Sequence, residues 1–65
     1  MAKWTMDEVL RRALRLELTH SGEYQKGANE ATVPALKAMF TFLAEEEKKH
    51  AKLIRDKMAQ FKVKE

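Results

Sequence analysis

The chain contains no cysteine. That absence excludes disulfides, thiolate zinc sites and rubredoxin-type iron sites together. Proline occurs once and glycine twice, so little interrupts a helical pattern. No apolar run approaches the length of a membrane span, and no signal-peptide core follows Met1, so a cytoplasmic protein with no membrane association is expected. An excess of charge of one sign is also missing. The net charge is only +3 and the cations are interleaved with acids, which leaves nucleic-acid binding weakly supported.

What is present describes a foldable chain, 45% hydrophobic and 35% charged. With 65 residues it forms at most one small domain, below the size at which a single core is comfortably stable. Small domains need a staple. With disulfides excluded, a metal, oligomerisation or both remain.

Thr5 can cap a helix, Glu8 three residues on fits a capping box, and Trp4 with Val9 fits a hydrophobic staple. A stripe at steps of four and three then runs through Met6, Leu10, Ala13, Glu17, His20, Tyr24, Gly27 and Ala31, with Leu14, Leu16 and Leu18 beside it. Pro34 suits the first turn of a second helix, whose stripe is Leu36, Phe40, Leu43, Glu47, His50, Ile54 and Phe61. The spacing predicts one hairpin over residues 1–65: a helix over about 6–29, a turn at about 30–33 and a helix over about 34–62. Gly27 falls on the stripe, where a missing side chain permits close approach; Gly22 does not. The expected fold class is all-α, an antiparallel helical hairpin. A lone hairpin cannot cover its apolar stripes, so homodimerisation into a four-helix bundle, with higher oligomers open, is expected.

Each stripe carries polar residues where apolar ones belong. Glu17 lies fifteen residues before Thr32 and Glu47 fifteen after, so an antiparallel hairpin sets the two carboxylates at one level. His50 follows Glu47 by one turn on the same face. A symmetric dimer would gather four glutamates and at least two histidines. Four buried, unpaired carboxylates cost several kcal/mol apiece or become protonated. Two divalent cations per dimer neutralise them, and mixed oxygen and nitrogen donors suit iron or manganese, with zinc and cobalt as substitutes. One Glu from each of two helices plus Glu-x-x-His from each of the others is the di-iron carboxylate arrangement of four-helix bundles. Metal-ligand candidates are therefore Glu17, Glu47 and His50. The plainer alternative is a wet seam flanked by these groups, with Glu45 and Glu46 continuing a solvated acidic run.

The segments LELTHSGEY and FTFLAEEEKKHAKLI resemble the two helices of a rubrerythrin-type, ferritin-like di-iron half-domain. That family has a metal-binding Glu followed seven residues later by Tyr, as Glu17 and Tyr24 are spaced. It then has Glu-x-x-His-Ala, as in Glu47, His50 and Ala51. The likeness runs from about Met6 to Phe61. Full family domains hold four helices in one chain; half-length relatives such as encapsulated ferritins dimerise, with the metal site at the twofold interface. The resemblance implies a ferroxidase or a peroxide- or dioxygen-reducing oxidoreductase using iron. Rubrerythrins proper add a Cys-rich rubredoxin domain for electron delivery; without cysteine here, peroxidase turnover is expected only where an external reductase of unknown identity serves. His20 departs from the family, where that position is small or polar. It forms a second Glu-x-x-His with Glu17, and is a histidine bonded to a carboxylate or to Tyr24, or an auxiliary metal ligand. Tyr24 is a buried aromatic or, as the resemblance implies, a group that hydrogen-bonds a ligand. Two readings from other classes stay open: a non-catalytic metal-stapled dimerisation module, and a metal-free bundle that binds a partner.

Overall fold

The computed structural model describes residues 3–65; residues 1 and 2 lie outside the description. It consists of α1 (Met6–Glu30) and α2 (Pro34–Gln60), with no strand among the described residues. Lys37 meets Ala28, Ser21 meets Ala44, and Arg11 meets Lys64, so the helices run antiparallel as a hairpin.

Local chemistry explains both helix starts. The Glu8 backbone N–H donates to Thr5 Oγ1 at 3.1 Å, and Asp7 and Glu8 place negative charge in the first turn, where the helix dipole favours it. Pro34 opens α2 at a position where its missing N–H costs nothing, and Val33 before it makes no side-chain cap. Lys37 Nζ donates to the Ala28 carbonyl at 2.8 Å, tying the last turn of α1 to the first turn of α2.

The second helix stops at Gln60, short of the expected residue 62. Lys62 adopts the left-handed conformation at φ 57°, and the chain reverses. The Val63 N–H donates to the Met58 carbonyl at 2.8 Å and the Lys62 N–H to Ala59 at 3.2 Å, the two bonds of a Schellman cap. Val63 thereby folds onto Met58, and both are buried with Leu14 and Ala51. A left-handed residue that is not glycine is hard to foresee from helical periodicity.

The line of closest packing also differs from the sequence stripes. Leu14, Ser21 and Ala28 are the buried residues of α1, and Ala44, Ala51 and Met58 those of α2, each set repeating every seven residues. Four of the six are small, so the helices approach closely, and the buried Ser21 hydroxyl donates to the Ala44 carbonyl at 3.4 Å. Glu17, Tyr24, Leu43, Glu47 and Ile54 are only half-buried at the edge of this seam. The molecule measures 45 × 27 × 13 Å, a slab one helix thick. Met6, Val9, Leu16, Leu36, Met39, Leu53 and Phe61 remain exposed, from 46% for Val9 to 63% for Leu53. No helix among the described residues is long and apolar enough to cross a membrane.

The two glycines of α1 separate cleanly. A Cβ on Gly27 would stand 2.7 Å from the Phe40 ring, whereas one on Gly22 would meet nothing within 4 Å. Replacing an exposed helical glycine by alanine gains about 1 kcal/mol of helix propensity. Gly22→Ala should therefore raise the melting temperature by several degrees, roughly 4–8 °C per kcal/mol for a small domain. Gly27→Ala should show no gain or a loss, because the Phe40 ring must move; thermal denaturation of both variants checks the contrast.

Candidate metal centre

Glu17 and His20 stand one turn apart on α1, and Glu47 and His50 one turn apart on α2. Antiparallel pairing crosses the partners. His50 Nδ1 lies 3.4 Å from Glu17 Oε2 on the opposite helix, and His20 Nδ1 lies 3.6 Å from Glu47 Oε2. His50 also stands 3.9 Å from Glu47 Oε1 on its own helix. The four residues form one group midway along the hairpin, the glutamates between the two imidazoles.

Burial is unequal. The Glu17 and Glu47 side chains are 24% and 18% exposed, while both imidazoles are about half exposed. Glu17 Oε2 is shut off from solvent and makes no hydrogen bond, although His50 Nδ1 lies 3.4 Å away. The proton affinity of Glu17 follows from that position. Its pKa is raised above the ordinary 4.5, chiefly by a hydrogen bond with Glu47, then by burial and by the Glu47 charge; His50 beside it acts in the opposite direction. Two carboxyls sharing one proton, or two carboxylates sharing a cation, are the alternatives open to such a pair.

Donor atoms of Glu17, His20 and Glu47 all lie within 4.8 Å of one another. A buried acceptor that makes no hydrogen bond, a second carboxylate beside it and two imidazoles at the rim fit a divalent metal by chemistry. Of the residues expected from sequence as ligands, Glu17 and Glu47 fall in that 4.8 Å set; His50 stands beside both glutamates but outside it. His20, given there either as a carboxylate-bonded histidine or as an auxiliary ligand, is also drawn into the group. Tyr24 is half-buried two turns along α1 from Glu17. Ser21 escaped notice in the sequence because a single serine between two stripes carries no periodic signal; its role is to let the helices close over the glutamates.

Opposed Glu-x-x-His pairs on a helical hairpin suggest the class of carboxylate–imidazole metal-binding helical proteins. Within that class, the rubrerythrin family model matches residues 8–65, nearly the whole sequence, and the chain belongs to the rubrerythrin family. Membership implies a ferritin-like, iron-binding helical fold. Searches among curated proteins and among solved structures return no significant match.

The raised Glu17 pKa has a signed consequence for the metal-free protein. Between the unfolded value near 4.5 and the raised folded value, the folded state holds more protons than the unfolded state. Stability therefore falls as pH rises through that window. Glu17→Gln should stabilise metal-free protein at neutral pH, and its advantage over the wild type should shrink as pH is lowered towards 4.5. Urea unfolding of both proteins across that range measures the difference.

Proposed function

We propose that two hairpins dimerise into a ferritin-like four-helix bundle that holds two divalent metal ions, and that the protein oxidises Fe(II) with dioxygen or peroxide. The observation that carries this reading is the Glu17–Glu47 pair, two largely covered carboxylates flanked by imidazoles beside an apolar face. Along that face, Val9, Ala13, Leu16, His20 and Tyr24 follow one another at steps of three and four on α1. Leu36, Met39, Leu43, Glu47, His50 and Ile54 do so on α2. A second copy laid on this face covers the exposed apolar residues and doubles the carboxylates to four.

In this reading Glu17, Glu47 and His50 of each chain are the ligands, with iron first and manganese, zinc or cobalt as substitutes. When bound, iron supplies one-electron redox chemistry towards dioxygen or peroxide. The chain's own contribution is electrostatic and steric. Four carboxylates offset the charge of two divalent ions, the neutral imidazoles add donors without adding charge, and the flanking leucines and methionines limit water. The proposed setting is the cytoplasm, with electrons drawn from a separate redox protein when peroxide is the oxidant.

Sedimentation equilibrium at micromolar concentration should show a dimer; a folded monomer would remove the shared-site arrangement. Anaerobic Fe(II) loading followed by air should then consume oxygen and produce ferric absorbance. Glu47→Ala should slow that oxidation by roughly two orders of magnitude, the scale of losing a ligand of the reacting metal. A dimer that binds iron but takes up no oxygen is instead a metal staple without catalysis.

A further inference from the structure

We propose that His20 is itself a metal ligand, so that each chain offers two carboxylates and two imidazoles. The inference rests on the shared metal site proposed above and changes its donor set. The positions of the side chains lead to it. His20 Nδ1 stands 3.6 Å from Glu47 Oε2, and His20 belongs with Glu17 and Glu47 to the set of donor atoms lying within 4.8 Å of one another. Two donors on one four-coordinate metal with bonds of about 2.1 Å stand about 3.4 Å apart. The crossed separations of 3.6 Å at His20 and 3.4 Å at His50 match that spacing, and are longer than a charge-assisted hydrogen bond of about 2.7–2.9 Å.

Each end of the group carries one imidazole, and the set of donor atoms within 4.8 Å of one another takes in the one at the loop end, His20. His20 lies towards the loop and His50 towards the chain termini, each next to the glutamate of the opposite helix. His20, Glu17 and Glu47 would hold a metal at the loop end of the pair, His20 supplying a nitrogen donor beside the two carboxylates. Glu17 Oε2 is buried without a hydrogen bond, and its nearby imidazole is that of His50 at 3.4 Å. An added neutral nitrogen donor also has a chemical signature. Imidazole favours zinc over manganese, whereas carboxylates serve both, so His20 tilts the site towards the later divalent metals.

The test uses wild-type full-length protein, zinc and manganese. Imidazole nitrogen resonances are followed by NMR as zinc is added to metal-free dimer, and both metal affinities are then measured for wild type, His20→Ala and His20→Gln. The expected result is that ring nitrogens of both His20 and His50 move to ligated positions at the same zinc equivalents. Loss of His20 should also lower zinc affinity about tenfold more than manganese affinity, with glutamine failing to rescue it. If zinc shifts His50 and leaves His20 unmoved, His20 is not a ligand, and the site of Glu17, Glu47 and His50 stands without it. If zinc shifts neither imidazole, the shared metal site falls as well. Equal loss of zinc and manganese affinity in His20→Ala, with its nitrogens unmoved in wild type, marks an orienting role through Glu47 and overturns the inference.

Discussion

Two carboxylates held at the same level on neighbouring helices are the constraint around which this hairpin is organised. Like charges repel, and burial sharpens the repulsion because neither group can hand its charge to water. Glu17 and Glu47 nevertheless sit mostly covered, one with a buried oxygen that makes no hydrogen bond. A helix pair chosen for stability alone would carry leucine there. The surrounding chemistry answers the strain locally, with an imidazole on either side of the pair, and the raised proton affinity of Glu17 is the trace left in the metal-free chain.

The seam of small residues follows from the same demand. Ser21, Ala28, Ala44 and Ala51 let the helix axes draw together, so side chains at the seam's edge reach across to the opposite helix. Bulkier residues along that line would hold Glu17 and His50 apart. The large apolar side chains are displaced to the outside as a result. Leu36, Met39 and Leu53 lie open because the space between the helices has no room for them. Close approach and an exposed greasy face are thus two sides of one packing choice, and rubrerythrin-family membership of a two-helix chain agrees with both.

Periodicity made the hairpin legible, since Thr5, Pro34 and the near absence of other helix breakers mark its elements in plain text. The level of Glu17 against Glu47 could be counted from the turn, because an antiparallel pair fixes it geometrically. Two features were hidden for physical reasons. The seam runs through Ser21, Ala28, Ala44 and Ala51, whose small side chains weigh little in a hydrophobic pattern yet decide how close the helices come. The reversal at Lys62 depends on a left-handed backbone that a lysine gives no hint of. The involvement of His20 was only half visible: spacing set it on the right face, but its distance to Glu47 depends on how tightly the seam closes.

Glu17 and Glu47 are thirty positions apart in the chain and adjacent in space. Any ion gripping both at once closes a loop of that length through Thr32. In the unfolded ensemble such a closure removes chain entropy worth about 3–4 kcal/mol, the amount estimated for a disulfide across a loop of about 30 residues. The carboxylate pair is therefore placed where a reversible cross-link constrains nearly half of the polypeptide. A chain without a single cysteine has in this pair the position that a covalent bridge would take.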